Sequence, residues 1–238
     1  MRNTLTIARR EIGSYFNSPI AYIVIAVFLL LDSFLFFSAL FVQGQADLRE
    51  LFAGFWPTLL VAVFAPAITM RLIAEERQSG TLELLITMPV SDWQVVLGKF
   101  LGAIALFGVA VGLMVIYGIT VSLLGPLDKG PAIGGYLGLS LLGATFIAIG
   151  LMASSWTRSQ IVAFILALLL CLGLWLIGKI VPFFPRPLQP VMEFLGIDSH
   201  IANTARGIVD TRDLVYYASV IGGCLLLAQQ SLESRKWR

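Results

Sequence analysis

Six times along the chain an apolar run returns that is too long for the core of a water-soluble domain. The first, Ile20 to Val42, is broken only by Asp32 and Ser33 and would cover about 34 Å as a helix, enough to cross a bilayer. The others run from about Leu51 to Ile73, Val95 to Leu124, Gly134 to Ser154, Gln160 to Val181 and Leu214 to Leu232. Only 13% of the 238 residues are charged, against about a quarter in an ordinary globular chain, so a water-facing surface is not provided for. The predicted fold is therefore a single all-α integral membrane domain with six transmembrane helices. A cleavable signal peptide has a shorter apolar region and a small-residue cleavage site, so the first run is expected to stay as a span. The net charge of +2 gives no ground for a nucleic-acid partner. Cys171 and Cys224 both sit inside apolar runs and read as small buried hydrophobes.

Six spans put both termini on one side, and basic residues in short loops choose the side. With the N-terminus in the cytoplasm, the inner face holds Arg2, Arg9, Arg10, Arg71, Arg77, Lys99, Arg158, Arg235, Lys236 and Arg238. Arg49, Lys129, Lys179, Arg186, Arg206 and Arg212 fall outside. Both termini are accordingly expected to be cytoplasmic.

The polar segments differ in kind. Residues 1–19 place Leu5, Ala8, Ile12, Tyr15 and Phe16 on one helical face, with Asn3, Arg10 and Ser14 opposite and Ile7 breaking the pattern. An interfacial helix on the inner leaflet is predicted, closed by Ser18-Pro19. Residues 182–213 begin with four prolines and continue with apolar positions at mixed helical spacing, so one or two short helices dipping into the outer leaflet are expected, with Ser199 and Asp210 as helix caps. We expect this segment to cap a pathway, with Ile201, Arg206, Gly207 and Ile208 at the gate and Gly207 allowing close helix contact.

Residues 71–94 are organised as a helix, a turn and a short helix. Gly80 suits the left-handed end of a helix, Thr81 can cap the next with Glu83 in its first turn, and Pro89 stops it. Ser91 and Gln94 have capping-box spacing ahead of the third span. A short helix lying across the membrane surface between two spans has the shape of a connector that a soluble partner can push. An ordinary polar turn fits the same charges.

The residues of this loop carry a resemblance. Arg71, Ala74-Glu75-Glu76-Arg77, Gly80-Thr81-Leu82-Glu83-Leu84-Leu85 and Pro89-Val90 resemble the inner loop of ABC exporter permeases of the ABC-2 type. Asp198-Ser199-His200, Ala205 to Leu214 and Tyr216-Tyr217 are similar to the outer loop of the gliding-motility (GldF-like) branch of those permeases. The resemblance implies a permease subunit in the bacterial inner membrane. It would work with two copies of a cytoplasmic ATP-binding cassette ATPase, a second permease copy and an accessory subunit with a periplasmic domain, all among membrane lipid. It also implies that Glu75, Glu76, Arg77, Gly80, Thr81, Glu83, Leu84 and Leu85 couple the ATPase to the spans. ATP and magnesium would be held by the partner and no cofactor by this chain.

The chemistry of the remaining residues agrees. The Gly-Lys pairs at 98–99 and 178–179 are followed by Phe100 and Ile180, so neither belongs to a phosphate loop. The expected topology puts Glu75-Glu76 and the single histidine, His200, on opposite faces, which rules out an acid-histidine protease pair. Asp32, the acid near the middle of a span, either lines a pathway or bonds to a hydroxyl or backbone group at a helix contact. The pairs Gly98/Gly102, Gly108/Gly112 and Gly134/Gly138 are expected to let helices approach, and Pro57 and Pro66 to offer a hinge in the second span.

Overall fold

The computed structural model describes residues 2–43, 48–81 and 90–234, and among these it is all helix and turn. The elements are α1 (Arg2–Phe16), α2 (Pro19–Gln43), α3 (Arg49–Ala53), α4 (Phe55–Thr69), α5 (Ala74–Gln78), α6 (Asp92–Leu124), α7 (Lys129–Trp156), α8 (Gln160–Ile180), a 3₁₀ turn (Val181–Phe183), α9 (Gln189–Leu195), α10 (Ile197–Ala205) and α11 (Thr211–Glu233). Six segments, Pro19–Val42, Phe55–Gln78, Asp92–Leu124, Lys129–Trp156, Gln160–Phe183 and Thr211–Glu233, are long and apolar enough to span a membrane. The fold is all-α integral membrane.

α7 is the central post. Its buried residues surround the helix, and it packs against α4, α6, α8, α10 and α11. Glycine makes these approaches possible. A Cβ on Gly143 would enter the Phe107 ring of α6, one on Gly135 the Phe52 ring of α3, and one on Gly150 the Thr69 side chain of α4. α2 and α8, by contrast, expose large side chains such as Leu30, Phe34, Ile161 and Leu169 along their outer faces, as helices bathed in lipid or in a second subunit do.

Local signals set several ends as expected. Ser91 accepts from the Gln94 amide and the Gln94 side chain accepts from the Ser91 amide, completing the capping box of α6. The Asp210 carboxylate accepts from the Arg212 amide at 2.9 Å and caps α11. Gly80 follows α5 with φ +74°, a conformation that costs L residues about 1–2 kcal/mol.

The second span departs from expectation. Residues 49–53 form the separate α3, whose Leu51 and Phe52 are fully buried, and Gly54 breaks the chain before α4. Pro57 lies in the first turn of α4, where its missing N–H removes no helical bond, so it is no hinge; Pro66 lies within the helix. α4 stops at Thr69, and a turn at 70–73 carries the chain into α5.

At the far end of the bundle from α1, α10 leans on α7. Gly134 and Gly138 receive Thr204, and Gly207, at φ +83°, sits against the backbone of Gly130 and Pro131. Ser199 does not cap α10, because the helix begins at Ile197; its hydroxyl instead donates back to the carbonyls of Glu193 and Gly196. His200 is buried, with Nδ1 2.6 Å from Asp213 Oδ1, Nε2 3.0 Å from the Phe194 carbonyl, and its ring stacked on Tyr216. Lys179 at the end of α8 pairs with Asp198 at 2.9 Å.

Candidate functional site

At the N-terminal end of the bundle, α1 lies on the start of α6, and the contact overlaps only in part the apolar face that periodicity predicts, sharing Ala8 and Tyr15 with it. The buried residues are Ile7, Ala8 and Tyr15 with Glu11 between them, while Leu5 stays 64% exposed. α6 presents glycine to that face: a Cβ on Gly98 would meet Ile7, and one on Gly102 would meet Glu11. Between those glycines stands Lys99. The docking face is thus a ridge on α1 fitted into a trough on α6, with one acid and one base at its centre.

Lys99 is 1% exposed at its side chain, and its Nζ lies 3.1 Å from Glu11 Oε1 and 2.8 Å from Glu76 Oε1. One ammonium therefore joins α1, α6 and α5. Arg10 reaches the same two acids from the rim at 3.4 and 3.3 Å. A buried cation next to two carboxylates is tolerable because each charge is matched; an unmatched one would cost several kcal/mol.

α5 is held at two further places. Ser154 of α7 accepts hydrogen bonds from the Ile73 and Ala74 amides at 3.1 and 3.0 Å and donates to the Met70 carbonyl at 3.1 Å. One hydroxyl thus satisfies both sides of the turn between α4 and α5, groups that a helix end leaves unpaired. Arg77 is buried and donates to Ser231 of α11 at 3.3 Å, and Ser231 in turn donates to the Ser155 carbonyl at 2.8 Å. Glu75 makes a looser contact with Arg71, at 3.8 Å. The hydroxyls of Ser79 and Thr81 meet at 2.9 Å beside Gly80.

Between these groups is a half-open cavity of about 340 Å³ lined by α1, the 70–73 turn, α5, Ser79, Thr81 and Lys99. Tyr15 forms part of its wall and donates to the Ile68 carbonyl at 3.0 Å. Burial first, then the nearby Glu11 carboxylate, pushes the Tyr15 hydroxyl well above its ordinary value.

Of the residues singled out in the sequence, Glu75, Glu76, Arg77, Gly80 and Thr81 come together here; Glu83, Leu84 and Leu85, with the short helix expected over 81–87, lie outside the described residues beyond Thr81. The family model described as ABC-2 family transporter protein matches residues 5–204. The chain belongs to the ABC-2 transporter family. That family is a membrane component of ABC transporters, not their ATPase, and implies an ABC ATPase as partner. No curated protein matches the chain.

The other candidates of this ABC-2 permease sit elsewhere. Asp32 is buried in α2, and its Oδ2 has no hydrogen-bond partner among the described residues. Ile201 is buried under α10, whereas Arg206, Gly207 and Ile208 are exposed at its C-terminal end, so the four do not form one surface. Lys99, Glu11 and Ser154 belong to the site but escaped sequence reasoning. The signal for the first two was the Gly98-Lys99-Phe100-Leu101-Gly102 run, a charge bracketed by two residues that admit another helix.

Proposed function

We propose that this chain is the permease subunit of an ATP-driven exporter in which α5 and the segment that follows it receive motion from the ATPase and pass it to the spans. One observation carries the reading. α5 and the turn before it are tied to three spans at once, through Glu76 to Lys99 of α6, through Ile73 and Ala74 to Ser154 of α7, and through Arg77 to Ser231 of α11. A solvated loop that only fixed topology would need none of these ties. The loop face then lies in the cytoplasm with both termini, in a bacterial inner membrane, and the exposed apolar faces of α2 and α8 leave room for a second permease copy and for lipid. ATP and magnesium belong to the two ATPase copies.

The outer resemblance supports work with an accessory subunit that has a periplasmic domain, as in the gliding-motility branch. Its residues His200, Asp213, Tyr216 and Tyr217 form one buried cluster.

The test is reconstitution. The isolated chain is expected to hydrolyse no ATP, and co-expression with its cognate ATPase should give transport-linked hydrolysis that Glu76→Gln combined with Arg77→Gln uncouples. Full coupling in that double variant would refute the role given to α5, and absence of any transport-linked hydrolysis in the parent complex would leave the chain a membrane anchor. Proteins that co-purify in mild detergent test the accessory subunit and the second copy.

A further inference from the structure

Where the interfacial helix meets the spans, two recesses share a wall. One is the polar cavity, bordered by Arg10, Ser14, Arg71 and Glu75. The other is an apolar crevice of about 20 Å³ among Ile20, Ala21, Val24, Ala67, Ile68 and Leu106, too narrow to enclose a ligand and suited to a chain lying along it. Tyr15 and Arg71 line both.

The charges of the polar recess are unequally engaged. Lys99 is saturated by two carboxylates at hydrogen-bond distance. Arg71 meets Glu75 only at 3.8 Å, beyond hydrogen-bond range, and leans over the Tyr15 ring with its Cζ 6.0 Å from the centroid. Glu75 is 54% exposed and Arg10 55% exposed at their side chains. Arg10 shares Glu11 and Glu76 with Lys99 at 3.4 and 3.3 Å yet keeps most of its guanidinium in the open, and Arg71 is 21% exposed, so two guanidinium groups and one carboxylate reach the polar recess beside an apolar strip of span surface.

We propose that this junction binds one aminophospholipid from the leaflet on the N-terminal side. The phosphate sits on Arg71 and Arg10, the ammonium on Glu75, and one acyl chain runs along the crevice from Tyr15 toward Val24. A guanidinium fork matches phosphate oxygens. A carboxylate beside it selects ethanolamine, whose ammonium offers charge-assisted N–H donors, over choline, which has no N–H, and over glycerol, whose hydroxyls carry no positive charge. The site does not depend on the coupling reading, since a permease or an anchor would carry it equally.

The experiment is native mass spectrometry of the full chain in detergent, titrated with dioleoyl phosphatidylethanolamine, phosphatidylcholine or phosphatidylglycerol. Phosphatidylethanolamine is expected to bind about tenfold more tightly than either rival, the effect of one charge-assisted contact. Arg71→Gln should remove that binding, and Glu75→Gln should bring phosphatidylethanolamine down to the level of phosphatidylcholine. Ser14→Trp, at an exposed position on the cavity rim that makes no ion pair, should weaken all three lipids, and it decides the matter if Arg71→Gln fails to fold. Equal affinity for the three headgroups overturns the proposal. So does phosphatidylethanolamine binding that survives Ser14→Trp, or competition by soluble glycerophosphoethanolamine as strong as by the lipid, which would mean that the crevice holds no chain.

Discussion

Replacing Lys99 with methionine keeps the length of the side chain and removes the one charge on which α1, α5 and α6 converge. At an effective dielectric of about 20, contacts of 2.8 and 3.1 Å correspond to roughly 6 and 5 kcal/mol of attraction, most of which is offset by the cost of taking the ammonium out of water. What matters for the variant is the state left behind. Glu11 and Glu76 are only 13% and 18% exposed, and without Lys99 both point at one vacated position. Breaking a buried pair in this way costs about 3–5 kcal/mol. Docking of α1 should therefore weaken by at least about 100-fold, a factor that corresponds to roughly 2.7 kcal/mol. Hydrogen exchange of the α1 amides in nanodiscs reads this directly, with protection falling by that factor while the centre of α7 keeps its own. Arg10→Gln is the control: its contacts to the same acids are rim contacts at 55% exposure and should be worth under about 1 kcal/mol. The reasoning is refuted if Lys99→Met leaves α1 protection within threefold of the parent, or if the two variants lose the same amount.

Ser154→Ala strips the partner from two buried amides and one carbonyl and should cost about 2–4 kcal/mol, read as a lower thermal transition in detergent and faster exchange at 70–74. Gly143→Ala puts a methyl into the Phe107 ring and should destabilise by about 1–3 kcal/mol, whereas Gly108→Ala and Gly112→Ala meet nothing within 4 Å and should be neutral or slightly stabilising for the isolated chain. Tyr15 keeps its proton in the folded state above pH 10.0, where the unfolded chain loses it, so its contribution is complete below that pH and declines above it by up to about 1.4 kcal/mol per pH unit. Tyr15→Phe should abolish that slope in alkaline unfolding curves while removing one hydrogen bond, worth about 1 kcal/mol at neutral pH.

Spans were legible because hydropathy over some twenty residues integrates many small preferences, and ends were legible where the signal was local. The Ser91–Gln94 box, the Asp210 cap and the Gly80 turn each need only three or four neighbouring residues. The α1 face was read only in part, through Ala8 and Tyr15, because a periodicity argument counts apolar residues and this face is completed by Glu11. Its acceptability depends on Lys99, 88 positions away, and no window along the chain holds both. The break at 70–73 was hidden for the same reason, since the hydroxyl that satisfies it belongs to Ser154, 81 positions beyond Ile73. Ser199 has the residue type of a cap but follows Gly196, which holds the N-cap position, and helix type is easier to read than the first residue.

The glycine contacts of α7 have a mechanical meaning. At one end the helix is bonded through Ser154 to the turn before α5, and at the other it carries α10 in the notches of Gly134 and Gly138. Its 28 residues make a strut about 42 Å long. Contacts this close leave no slack for the strut to slide against its neighbours, so the low-cost displacement is a tilt. A tilt of about 5° about the midpoint carries each end roughly 2 Å in opposite senses. Under the coupling proposed above, a push at one end of the strut would arrive at the other reversed in direction and undiminished in size.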